Sequence, residues 1–108
     1  NLTSAKAPLN KSQAESLSLD SFKSERNNYQ IIDVRNEEDY NEFNLGGLNI
    51  PLYEIEARLD ELEQKSTIVT YCDLGLKAKQ AAIIISHALK TKVYYLDATL
   101  KAFKNSEK

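Results

Sequence analysis

One thiol stands out as a group able to do chemistry. Cys72 is the single cysteine of the 108-residue chain and lies in "TIVTYCDLGLKAKQAAIIIS" (Thr67 to Ser86), between a β-branched run and an alanine-rich helical pattern. A lone cysteine forms no internal disulfide and supplies no paired thiolates for a structural zinc site, so it is either inert packing or a reactive thiol. Thiolates are favoured at helix N-termini, where unpaired backbone N–H groups face the sulfur. Cys72 occupies such a position: it ends a buried strand, and "DLGLK" must curl as a loop before the helix begins. Gly75 gives that loop the freedom to turn its amides inward around an anion. Lys77 and Lys79 add positive charge nearby, although lysines at a helix start are commonly solvated. Free cysteine is also among the most buried residue types, so the residues alone leave packing and nucleophile both open.

The elements that must hold this cysteine follow from periodicity. "YQIIDV" (Tyr29 to Val34), "STIVTYC" and "KVYYLD" are short apolar, β-branched runs of the kind seen in strands buried on both faces. "LNIPL" allows only a brief strand, because Pro51 donates no ladder hydrogen bond. Helical patterns lie between them: Ser18 caps "LDSFKSER", Asn36 caps "EEDYNEF", and "KAKQAAIIISHALK" is the longest helix. A helix is predicted from Tyr53 to Glu63, with Ile55, Leu59 and Leu62 on one face and acidic residues on the other. A last short helix runs from about Thr99 to Lys104. Strands alternating with helices predict an α/β domain: a mostly parallel central sheet of four to five short strands with helices on both faces. Ligand sites in such folds lie at the carboxyl ends of the strands, where Cys72 falls.

Composition narrows the function classes. With 42% apolar and 28% charged residues the chain reads as one ordinary globular domain. A net charge of −2 gives no broad basic field for nucleic acid. No apolar run approaches the roughly 18 residues of a membrane span, and no secretory signal is visible, so neither membrane nor nucleic acid is an expected partner and a cytoplasmic location is expected. Residues 1–14 are polar, with Pro8 and no periodicity, and read as a leader or interdomain linker; 15–108 form the domain. The chain has no methionine, which is expected of a piece excised from something longer.

"IIDVR" followed by "EEDY", then "NIPL", then "IVTYCDLGLKA", then "VYYLD", in that order over about 90 residues, resembles a rhodanese-like domain. The resemblance implies a sulfurtransferase in which Cys72 carries a persulfide. Its sulfur would be cradled by a six-residue substrate-binding loop of Cys72, Asp73, Leu74, Gly75, Leu76 and Lys77, with no metal and no organic cofactor. Gly75 matches the family glycine, whereas Lys77 replaces an arginine and loses its planar fork. Ala98 and Thr99 stand where a Gly-Gly pair is common, and Phe103 where Trp is usual; these positions are expected to shape the pocket wall. Asp73 brings a negative charge expected to repel thiosulfate, so poor thiosulfate turnover is expected. The phosphatases of this fold need an arginine six residues after the cysteine, where Ala78 stands.

"NLGGLNIPLYEIEARLDEL" is further similar to the rhodanese-like domain at the C-terminus of MoeB/ThiF-type adenylyltransferases. That similarity implies an adenylyltransferase domain N-terminal to this one in the parent chain and a cysteine desulfurase as sulfur donor. The acceptor would be the activated C-terminus of a ubiquitin-like sulfur-carrier protein, in molybdopterin or thiamine biosynthesis or tRNA thiolation. The alternative is a catalytically weak or inactive rhodanese-like module used for partner binding or domain positioning, whose mark would be a missing cysteine. Asp33 and Arg35 in "DVR" are expected to form an ion pair that holds loops, and His87 to be a surface imidazole.

Overall fold

The computed structural model describes residues 13–107. Five strands form one parallel sheet: β1 (Ala14–Leu17), β2 (Tyr29–Asp33), β3 (Leu48–Asn49), β4 (Thr67–Tyr71) and β5 (Val93–Leu96), in the order β1-β5-β4-β2-β3. Their registers place Ile31 beside Val69 and Thr70 beside Tyr95, so β2, β4 and β5 make the centre of the sheet. The α-helices are α1 (Leu19–Ser24), α2 (Glu37–Glu42), α3 (Leu76–Leu89) and α4 (Leu100–Ser106).

Side chains alternate across a strand, and here the alternation builds two cores. Ile32, Ile68 and Cys72 face one side, with Ala78, Ala81, Ala82 and Ile85 of α3; Ile31, Val69 and Tyr71 face the other, with Phe22 of α1 and Leu100 and Phe103 of α4. The spacing of the buried α3 residues is the i, i+3, i+4, i+7 stripe of a helix lying on a sheet, and alanine at three of the four lets the backbones approach closely. On the opposite face Phe22 stacks on Tyr29 and meets Phe103 edge-on, both at 6.3 Å between ring centroids. Phe103 is therefore core rather than the pocket wall expected of it.

Local chemistry sets the boundaries. The Ser18 hydroxyl accepts from the Ser21 N–H at the start of α1, and the Thr99 hydroxyl accepts from Ala102 N–H at the start of α4. Asn36 occupies the cap position of α2 but makes no side-chain cap bond there. Gly47, at φ +82°, is forced: a Cβ there would lie 2.1 Å from the Ile31 carbonyl oxygen. The predicted helix from Tyr53 to Glu63 is instead two 3-10 segments, Leu52–Glu54 and Glu56–Glu61, with Arg58 off helical geometry. Arg58 bridges Glu54 at 2.8 Å and Glu61 at 2.7 Å, and tight i→i+3 turns bring both Ile55 and Leu62 onto the core under α3. Packing here overrides the 3.6-residue period. Most of the expected leader 1–14 lies outside the described residues; Ala14 already pairs with Val93 in β1, an edge strand whose polar sequence gave no signal.

Candidate active site

The sheet order creates the crevice. From β2 the chain moves outward to β3, and from β4 it moves the other way to β5, so β2 and β4 flank the switch point at which ligands of open α/β sheets bind. The loop after β4 carries Cys72, and the loop after β2 carries Arg35. Together they line a cavity of about 260 Å³, with Asp39 on the β2 side and Asp73, Leu76 and Lys77 on the β4 side.

Cys72 is only 4% exposed, yet its sulfur is not enclosed by aliphatic groups alone. The Gly75 N–H donates to Sγ at 3.1 Å and the Ala78 N–H at 3.2 Å. Gly75, at φ +94° in the left-handed region, is the residue that turns the chain from loop into α3. That conformation costs glycine nothing and aims its amide at the sulfur. Two N–H donors converging at the start of a 14-residue helix suit a negatively charged sulfur, either thiolate or persulfide. The cup differs from the expected one. Of the amides from Asp73 to Lys77, Gly75 donates; the second donor, Ala78, lies one residue beyond the expected loop, in the first turn of the helix. The Asp73 carbonyl accepts instead from the Leu100 N–H at 3.0 Å, tying the loop to α4. Leu74 and Leu76 project into solvent, and Lys77 lines the cavity from an exposed position.

Thr70 supports the cup from below. It shares the α3 face of β4 with Cys72, two residues on, and its buried hydroxyl donates to the Ala78 carbonyl at 2.7 Å. The period of two could have singled it out.

Arg35 is the other member missed as a site residue. It is held by Asp33, completely buried, through three side-chain hydrogen bonds of 2.7–3.1 Å, and it also donates to the Phe43 carbonyl. Burial alone would lower the guanidinium pKa, but the hydrogen bonds and charge of Asp33 outweigh it and raise the value. The same guanidinium reaches Asp73 at 3.5 Å and lies over the Tyr71 ring at 5.7 Å. This pair does hold loops together, and it also builds one wall of the cavity. The charge of Asp73, expected to repel anions, is thus partly countered by Arg35. Tyr71 is buried with its hydroxyl accepting from the Leu45 N–H at 2.8 Å; burial raises its pKa, the Leu45 bond offsets part of this, and Asp33 adds to the rise. His87 is exposed on α3, away from the cup. Among the described residues no cluster of ligating side chains could hold a metal ion, and no helix is long and apolar enough to cross a membrane.

Comparison with known proteins agrees with this geometry. The family model for the rhodanese-like domain matches residues 18–106. The "Putative sulfur carrier protein YrkF" of Bacillus subtilis (strain 168) is 34% identical over 77 residues, covering 68% of this chain and 42% of that protein, so the chain spans less than half of that curated relative's length. Among solved structures, a rhodanese-related protein from Thermoplasma volcanium superposes with a TM-score of 0.77 at 17% identity, over 85% of this chain and 92% of that one. The NAD-dependent persulfide reductase from A. fulgidus superposes with a TM-score of 0.65 at 30% identity, over 82% of this chain and 15% of that one. With a parallel five-stranded sheet, a cysteine at its switch point and a family match over most of its length, the chain belongs to the rhodanese-like domain family.

Proposed function

We propose that this domain is a sulfurtransferase that carries sulfur as a persulfide on Cys72. The observation that carries the reading is the pair of backbone donors on Sγ, at 3.1 and 3.2 Å, beneath an open cavity. Fixed dipoles aimed at one sulfur stabilise an anion there without reorganising during the reaction. In loading, the Cys72 thiolate attacks the outer sulfur of a donor persulfide, R–S–SH. The new S–S bond forms as the donor's S–S bond breaks, and R–S⁻ leaves with the electron pair. The transferred sulfur is unchanged in oxidation state, so no redox partner is consumed. Similarity to a protein named as a sulfur carrier and to a persulfide reductase supports the same chemistry.

The donor in this proposal is a protein persulfide such as that of a cysteine desulfurase, in a reducing cytoplasm where thiols persist. The acceptor is the activated C-terminus of a ubiquitin-like sulfur carrier, supported by the resemblance of residues 44–62 to the adenylyltransferase fusions. Incubation with a sulfur donor followed by intact mass measurement tests the core of the proposal. Cys72 should gain about 32 Da, removable by a thiol reductant, and Cys72→Ser should gain nothing. A folded protein that never gains this mass from any donor is a binding module rather than an enzyme.

A further inference from the structure

Leu74 and Leu76 are 80% and 67% exposed, and both line the cavity above Cys72. Apolar side chains held in water beside a reactive group do nothing for folding; where they gather at a functional opening they mark an interaction surface. The opening itself is small. At about 260 Å³ it falls below the roughly 300–1,000 Å³ that encloses a typical small-molecule ligand. It admits the end of a sulfur-bearing side chain, and the rest of the donor must lie outside, against the leucines.

The charge around the opening is opposite in sign to that of the chain. The cavity over Cys72 and the depression beside it, which share Asp73 and Leu74, are lined by Lys77, Lys101 and Lys104 and by Arg35, whose charge the buried Asp33 balances, against two carboxylates, Asp39 and Asp73. The whole chain carries −2. The three lysines exceed Asp39 and Asp73 by one charge, and Lys104 is held at 4.4 Å over the Phe43 ring. A local positive rim on an acidic protein selects a partner of opposite charge and speeds its encounter.

We propose that Leu74 and Leu76, rimmed by Lys77, Lys101 and Lys104, are the docking surface for a protein donor whose persulfide cysteine sits in an apolar patch bordered by acidic residues. This rests on the sulfur-transfer reading and names the surface by which a protein donor meets the same site. The transfer is the exchange already written: the Cys72 sulfur bonds the donor's outer sulfur as the donor's own S–S bond breaks, and the donor thiolate departs with the electron pair.

The test compares two donors on the full chain, inorganic polysulfide and a cysteine desulfurase charged with L-cysteine, with sulfur gain followed by intact mass. Leu74→Ser removes an exposed side chain, and circular dichroism should show it folded. The ratio of the desulfurase loading rate to the polysulfide loading rate is expected to fall about tenfold in this variant, the scale of one lost interface anchor. Loading from the desulfurase should also slow as ionic strength rises, and Lys101→Glu should flatten that dependence. A ratio unchanged by Leu74→Ser overturns the docking surface, as does a wild-type protein that accepts sulfur from polysulfide but never from the desulfurase. No sulfur gain on Cys72 from either donor overturns the sulfur-transfer reading itself, and the docking proposal with it.

Discussion

Arg35 grips two carboxylates, and the structure says they are not worth the same. Asp33 is completely buried and holds the guanidinium at 2.7–3.1 Å, while Asp73 is more than half exposed and lies at 3.5 Å. Removing one partner of a buried pair leaves an uncompensated charge and costs about 3–5 kcal/mol, whereas an exposed pair contributes about 0–1 kcal/mol. Arg35→Ala should therefore lower the urea midpoint by about 2–3 M, taking an m-value of about 1.5 kcal/mol per M for a domain of this size. Asp73→Asn should shift it by less than about 0.7 M on the same scale. The double variant Asp33→Asn/Arg35→Ala removes both charges but keeps an oxygen to accept from the residue 35 N–H, a bond of 2.9 Å in the native protein. It should recover at least about 2 kcal/mol relative to Arg35→Ala, because no buried charge remains unpaired. Chemical denaturation followed by circular dichroism measures all three. If Asp73→Asn is as damaging as Arg35→Ala, or the double variant no more stable than Arg35→Ala, the assignment of the stability to the buried half of this network is wrong.

The remaining predictions concern the turn glycines, the cup and alkaline pH. Gly46 and Gly47 share a positive φ, but a Cβ meets nothing at Gly46 and lies 2.1 Å from the Ile31 oxygen at Gly47. Gly46→Ala should cost about 1–2 kcal/mol of backbone strain, whereas Gly47→Ala should add overpacking for a total of about 4 kcal/mol, both read from thermal melts. Thr70→Val deletes the hydroxyl that holds the Ala78 carbonyl and should cost about 1 kcal/mol. Sulfur loading from polysulfide should slow with it, and Thr70→Ser should restore the rate. The pKa of Tyr71 is raised in the folded protein, so its phenol stays neutral where the unfolded chain, with tyrosine near 10, begins to ionise. The contribution is fully present below about pH 10 and is lost as pH rises beyond it, at up to about 1.4 kcal/mol per pH unit. Denaturant midpoints above pH 10 should show that slope, and Tyr71→Phe should make it shallower.

The central strands, the alternation of strands with helices and the place of Cys72 at a strand's carboxyl end were legible in residue order, because continuous β-branched runs and a 3.6-residue stripe are local signals. Cys72 and Gly75 likewise declared themselves by type and spacing. β1 gave no such signal: Ala14–Leu17 is a polar edge strand, and it is a strand only because β5 offers it a parallel partner. The two 3-10 segments between Leu52 and Glu61 are also a tertiary result, since Ile55, Leu59 and Leu62 fit an α-helix equally well on paper.

Sequence by itself determined that one thiol would stand at the end of a buried strand before a helix, since chemistry and period reside in the residues themselves. Only the tertiary structure decided which amides reach that thiol, Gly75 and Ala78 rather than the whole loop, and that Arg35 from the loop after another strand would wall its cavity. Those contacts depend on the order of strands in the sheet and on where α3 settles upon it. Such arrangements arise from packing between segments far apart in the chain, which no local pattern encodes.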